Sequence, residues 1–234
     1  MTMTEAEWLA CDDPKPMLEF LPGKASERKL RVLAVACCWL VWHLLPDISR
    51  RLLETVERYA GEETGPSDLA ALFVGYYPHQ VSAAVLGGNQ AAEAVYHLGQ
   101  TWQRPGDLPE QVWYSSGRVA RSAAEALAKS MPWRESRQRE GPLLHDIFGP
   151  LPFRPVVADP AWLSWNDGVV VKLAQVAYEE RLLPSGHLDS ARLTVLADAL
   201  EEAGCDNQEM LTHLRGSGPH VRGCWVVDLL LGKE

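Results

Sequence analysis

The sequence predicts an all-α fold: a multi-helix antiparallel bundle or helical-repeat-like array with a proline-rich extended strap. Three observations carry this. Apolar residues recur every three or four positions over most of the chain, as in Ile48, Leu52, Val56 and Tyr59. Helix-opening residues recur ahead of these runs, whereas the two-residue alternation of strands does not. Of the 234 residues, 47% are apolar and nine are tryptophan, enough material for a packed core.

Taken in order, Thr4 and Glu7 form a capping box for a short first helix through Trp8 and Leu9. Asp13 ahead of Pro14 opens a second, with Met17, Leu18 and Leu21 on its apolar side. Ser26 caps a third, charged at first and then apolar almost all round, which places it at the centre of the fold until Pro46 stops it. Asp47 caps its successor. Gly61 to Pro66 is a loop, and Ser67 reopens helix toward Leu72 and Phe73.

From Gly75 to Gly106 the pattern weakens, although Asn89 after Gly87-Gly88 can cap a helix through Val95 and Leu98. Asp107 and Glu110 form a second capping box, opening a helix that carries Val112, Val119 and Leu127 to Ala128. Pro142 starts another, closed by Gly149 after Phe148. Residues 149–168 then hold Pro150, Pro152, Pro155 and Pro160 among Phe153, Trp162 and Trp165. Prolines forbid helix here while the rings call for burial, so the segment reads as an extended strap or a linker.

Beyond it come helices from Val169 to Leu182 and from Ser190 to Ala203, with Gly204 just past the second. Asp206 and Glu209 form a third capping box for a short helix through Leu211 and Leu214. Val221 to Leu231 reads as a closing helix, although its apolar run also suits a buried strand. The organisation is thus 1–148, 149–168 and 169–234, as separate regions or together as one domain.

A net charge of −9 argues against a phosphate-backbone partner, which calls for a basic face. The arginines at Arg134, Arg137 and Arg139 are diluted by Glu135 and Glu140. The apolar stretch from Val32 to Leu45 is shorter than the roughly 20 residues a membrane span needs. Five cysteines, with Cys37 and Cys38 adjacent, do not make a disulfide framework. Reduced thiols and the lack of a basic, apolar leader point to the cytoplasm.

Several stretches resemble a family of uncharacterised proteins abundant in planctomycete bacteria. They are Met3-Thr4-Glu5-Ala6-Glu7-Trp8-Leu9, Cys37-Cys38, Trp42-His43-Leu44-Leu45, Phe153-Arg154-Pro155-Val156 and Asp159-Pro160-Ala161-Trp162. The run from Leu196 to Cys205 and the terminus from Gly218 to Lys233 belong with them, and Pro219 to Trp225 is the most specific part. The resemblance covers the two ends of the chain. It implies a shared fold and a bacterial cytoplasmic setting, and it implies no activity. Members of that family often carry a cysteine where this chain has Leu214, and basic residues where it has Trp39 and Leu40.

The candidate chemistry gathers near the C-terminus. His220 and Cys224 are four apart, so a helix beginning at 220 puts both on one face; with Cys205 and His213 they make a four-ligand set for zinc. The set has no CxxC knuckle and matches no standard zinc module. The same region reads as an anion cradle, in which Arg215, Gly216, Ser217 and Gly218 lead into a helix start beside His220 and Arg222. A third reading makes Cys224 a nucleophile activated by His220 and Arg222, with Asp228 orienting a base, although Trp225, Val226 and Val227 suit a thiol buried as a small hydrophobe. Cys37 and Cys38, inside the apolar helix, read as core.

No GxSxG, Walker A, HExxH or EF-hand pattern occurs. The patterning therefore points to a non-catalytic helical module whose partner is another protein, with no cofactor, and with neither nucleic acid nor membrane involved. The alternative is a small enzyme, or a ligand- or zinc-binding protein, built on the C-terminal His/Arg/Cys cluster. The oligomeric state is left open.

Overall fold

The computed structural model describes residues 2–60, 88–100 and 109–233. In them the chain is helical nearly throughout, as the patterning predicts, and strand is confined to one two-stranded ribbon. The chain divides into two compact units, Met1–Leu144 and His145–Glu234. The proline-rich segment 149–168 therefore belongs to the second unit, and the division falls ahead of it.

In the first unit, α1 (Glu5–Ala10) opens with the expected capping box: the Thr4 hydroxyl accepts from the Glu7 N–H at 3.2 Å and the Glu7 carboxylate from the Thr4 N–H at 2.8 Å. Asp13 accepts from the Lys15 N–H ahead of α2 (Pro14–Phe20). Ser26 caps α3 (Glu27–Leu40), which is buried on nearly every side from Leu30 to Trp39. It ends before the expected Pro46, tightening into a 3₁₀ turn at Trp42–Leu44. Next come α4 (Asp47–Ala60), α5 (Gln90–Gln100), opened by Asn89, and α6 (Pro109–Leu127). The apolar α3 packs against all three, which makes it the centre of this unit. Cys37 and Cys38 are free thiols with no exposed surface and serve as core packing. The Ser67 helix start and the Asp107–Glu110 capping box lie outside the described residues.

A short helix not expected from the sequence, α7 (Trp133–Gln138), follows, and α8 (Gly141–Phe148) runs across the division. Between the two helices sits Glu140, a glutamate with only 1% of its surface exposed. Its Oε2 accepts from the Arg137 guanidinium at 2.9 Å, while its Oε1 has no hydrogen-bond partner among the described residues. Burial pushes this carboxyl up to about 8, against the pull of Arg137 and with help from the Asp13 charge.

In the second unit residues 149–154 turn and bend, and within the strap only residues 155–159 lie outside any turn or helix. The expectation that prolines bar helix there is corrected: Pro160 is the first residue of α9 (Pro160–Ser164), where no backbone donor is needed, and Asp159 caps it. Trp162 and Trp165 pack against the core of this unit, as their size demands. The helix expected from Val169 to Leu182 stops at Glu179 (α10, Val169–Glu179), because Arg181–Leu182 (β1) pairs antiparallel with His187–Leu188 (β2) around a turn of Leu183, Pro184, Ser185 and Gly186.

Asp189 caps α11 (Ser190–Glu202). The start of α12 (Gln208–Leu214) is capped by Asn207, whose side chain accepts from two N–H groups, in place of the expected Asp206. The closing helix, α13 (Trp225–Leu231), begins four residues later than expected, since Val221 bridges to His187 and residues 222–223 turn. These helices bury Leu193, Leu196, Leu200, Met210, Leu214, Val226 and Val227 in one core. Among the described residues no helix is long and apolar enough to cross a membrane.

The buried glutamate sets a pH dependence. A carboxyl raised from its ordinary range to about 8 binds its proton more tightly folded than unfolded, so its contribution is most favourable in acid and declines as pH rises from the unfolded range through 8. Glu140→Gln keeps the shape and removes the buried charge. Chemical denaturation should show it more stable than the parent at pH 8, on the order of 1–3 kcal/mol, and with a flatter pH profile.

Candidate metal centre

Four polar side chains meet inside the second unit. Asp146 lies in the last turn of α8, with Ile147 and Phe148 buried beside it, and is itself only 2% exposed. His213 lies in the last turn of α12. His220 follows the glycine loop. Cys224 is the residue that opens α13 and has no exposed surface.

Asp146 organises the group. Its Oδ1 accepts from His220 Nδ1 at 2.7 Å and His213 Nε2 at 3.0 Å, and its Oδ2 accepts from the Val221 N–H at 2.8 Å. The same His213 Nε2 lies 3.3 Å from the Cys224 Sγ. The other nitrogen of His220, Nε2, donates to the Gly216 carbonyl at 3.2 Å. One ligand atom from each of Asp146, His213, His220 and Cys224 falls within 4.8 Å of all the others.

Burial would raise the Asp146 carboxyl, but the hydrogen bonds and charges of the two histidines outweigh it and hold it below the ordinary carboxylate range. Burial likewise opposes a charge on His220, yet its bond to Asp146, the Asp146 charge and the Gly216 carbonyl together raise it above the ordinary histidine range. Both ring nitrogens face acceptors, an arrangement that favours the protonated imidazole.

The backbone is shaped to deliver these groups. Gly218 has φ +77°, and a Cβ there would stand 2.7 Å from the His220 backbone nitrogen, so only glycine lets the loop close onto the histidine. The Leu188 N–H donates to the His220 carbonyl at 2.8 Å, which joins the ribbon to the ligand segment. At the far side of the group Gly149, φ +46°, lies flat against the Trp225 indole, and a Cβ there would come within 2.6 Å of the ring. That contact fixes the end of the helix carrying Asp146 against the start of the helix carrying Cys224.

Of the residues singled out in the sequence, His213, His220 and Cys224 come together and Cys205 does not. Cys205 is buried in the core just after α11, its N–H bonded to the Leu200 carbonyl. The fourth member is Asp146, which sequence reasoning missed. A signal was present: an acid among Leu143, Leu144, Ile147 and Phe148 on one short helix needs partners if it is buried.

The expected helix start at 220 is absent, so a turn, and no shared helical face, brings His220 and Cys224 together. Arg215 pairs with Asp198 and Glu201 on α11. Arg222 is largely buried, donating to the Tyr178 carbonyl at 3.1 Å and stacked over the Tyr178 ring, where its charge suits the C-terminus of α10. Gly216 contributes its carbonyl to His220, and Ser217 lies in the exposed loop. Asp228 is buried on α13 and outside the cluster.

The geometry discriminates between chemistries. A Cys–His–Asp relay uses one ring nitrogen for the thiol and the other for the carboxylate. Here His213 presents the same Nε2 to both Asp146 and Cys224. Four ligand atoms gathered within 4.8 Å of one another suit a cation. No family model, curated protein or solved structure matches the chain.

Gly149→Ala tests the brace behind the centre. Strained φ and the collision with Trp225 should lower stability by roughly 2–4 kcal/mol in denaturant melts, against roughly 1–2 kcal/mol for Gly204→Ala, where positive φ is the sole cost and a Cβ meets nothing within 4 Å.

Proposed function

We propose that the second unit is a zinc-binding module with a closed structural site, and that the protein acts as a non-catalytic helical module whose partner is another protein. The observation that carries the metal reading is the convergence of Asp146, His213, His220 and Cys224 within 4.8 Å, with the outer nitrogen of His220 already tied to Gly216. A histidine that ligates through Nδ1 needs its Nε2–H held by an acceptor, and the Gly216 carbonyl supplies one.

Charge supports a divalent ion. Asp146 and Cys224 as anions, with two neutral imidazoles, balance two positive charges, and a buried site tolerates no large imbalance. The mixed nitrogen, sulfur and oxygen set favours zinc over calcium or magnesium, which take oxygen. Tetrahedral zinc at about 2.0–2.3 Å from each ligand spaces the ligands about 3.3–3.8 Å apart. The contacts of 2.7, 3.0 and 3.3 Å therefore open by up to about an ångström on loading, and the wider separations, which reach toward 4.8 Å, close by a similar amount. Four protein ligands fill the tetrahedron and leave no position for substrate, which favours a structural role. Exposed Val157 and Leu183, at 77% and 64%, offer apolar points of contact for a partner protein.

Protein purified after expression in zinc-supplemented medium should carry about one zinc per chain by elemental analysis. Cys224→Ser and His220→Ala should lose it, Cys205→Ser should keep it, and loading should fall as pH drops because protons compete for the ligands. Cobalt substitution should give a thiolate charge-transfer band that Cys224→Ser abolishes. Purified protein without bound metal, taking up neither zinc nor cobalt after dialysis, would falsify the reading.

A further inference from the structure

The first unit carries an open cleft of about 580 Å³ lined by residues of the α1–α2 turn, α2, α6 and α7. That volume lies within the roughly 300–1,000 Å³ of small-molecule sites. Its aromatic wall is Trp133, an indole with 48% of its surface exposed. A half-exposed indole inside a concavity offers a flat apolar face for a ligand to lie on.

The polar walls carry both signs of charge. Arg121 is paired with Glu125 at 2.8 Å and Arg137 with Glu140 at 2.9 Å, so neither has charge to spare. Beyond these pairs stand Asp12, Asp13 and Glu19 against Lys15 and Arg134, all five exposed to water. The walls therefore hold no surplus of positive charge and at most a single negative one, which solvent screens. What they offer is acceptors beside donors. Asp12 Oδ2 accepts from the Gln138 amide at 2.7 Å and Asp13 Oδ1 from the Lys15 N–H at 3.0 Å. The second oxygen of each has no partner among the described residues and still accepts, while the Lys15 ammonium and the Arg134 guanidinium still donate.

Two glycines shape this space. Gly117 lies inside α6, where glycine is the poorest helix former after proline. Neither backbone nor packing requires it, since its φ is not positive and a Cβ built on it meets no atom within 4 Å. Gly117 lines the cleft, so a side chain there would project into the open space that the glycine keeps clear. Gly141, at the start of α8, does the opposite. A Cβ there would stand 2.9 Å from the Asp12 carbonyl oxygen, so glycine lets α8 close against the wall that carries Asp12. With the Gln138 bond on its side chain, Asp12 is held in place before any ligand arrives.

The geometry points to a binding site for a short neutral saccharide of one or two pyranose rings. The C–H face of a pyranose is apolar and flat enough to lie on an indole. Each of its hydroxyls both donates and accepts, so it calls for mixed donors and acceptors and for no net charge. One ring stacks on Trp133, and the hydroxyls at its edge turn toward Asp12 and Gln138. The site lies wholly in the first unit and does not depend on the metal centre.

The test is saturation-transfer difference NMR of the full-length protein with glucose, galactose, mannose, xylose, N-acetylglucosamine, maltose, cellobiose, lactose and chitobiose. At least one should bind saturably with a Kd in the millimolar range (on the order of 1–10 mM) or tighter, with transfer strongest at its ring C–H protons. The uronic acid and amino-sugar counterparts should bind no more tightly, and about 0.5 M salt should change the affinity less than about twofold. Trp133→Ala and Gly117→Leu should each weaken binding at least about tenfold. Gly117→Leu should at the same time raise the melting temperature, because a helix former replaces glycine over open space, which separates lost binding from lost folding. No binding by any of these sugars at about 20 mM, tighter binding of a charged counterpart, a larger salt effect, or unchanged affinity in either variant overturns the proposal.

Discussion

A carboxylate with almost no contact with water is the constraint around which the second unit is arranged. Asp146 cannot be left unpaired in the interior, where an uncompensated charge costs several kcal/mol. Two imidazoles and a backbone N–H answer it, and they come from two places: His213 at the end of α12, and the adjacent His220 and Val221 beyond the glycines. Satisfying one short side chain therefore specifies where two stretches of chain must go. Cys224 arrives as a consequence, since the turn that presents Val221 also sets this residue, just ahead of α13, beside His213.

Much of this architecture was legible in the residues. Thr4 with Glu7, Asp13 before Pro14, Ser26 and Asn89 opened helices where their side chains said they would, because a cap is a local interaction among neighbours. The central position of α3 followed from its lack of a polar face. What escaped depended on partners distant in sequence. The end of α10 at Glu179 and the late start of α13 are set by the pairing of the ribbon and by the bridge between His187 and Val221, neither of which leaves a periodic trace. Pro160 misled because a residue that breaks a helix from inside can begin one.

Three of the four members of the candidate site were legible in the sequence. His213, His220 and Cys224 stood out because they crowd together near the end of the chain, and Cys205 seemed to complete them by the same nearness. Proximity in sequence is a poor guide once a loop intervenes: Cys205 turned into the core, and the missing member came from 67 residues upstream of His213. Burial supplied the better rule. An acid amid buried leucines needs partners, and His213 and His220 supply them from distant parts of the sequence.

The ribbon beside the cluster has a consequence for how this protein can drift over generations. It reaches the ligand segment through the main chain, by the Leu188 amide on the His220 carbonyl and the bridge at His187 and Val221. Those bonds ask nothing of side-chain identity beyond tolerance of extended backbone. Positions such as Leu182 and Leu183, which face outward, are therefore at liberty to change under selection from whatever touches them. The inherited geometry of the cluster stays intact behind a surface that is free to diversify.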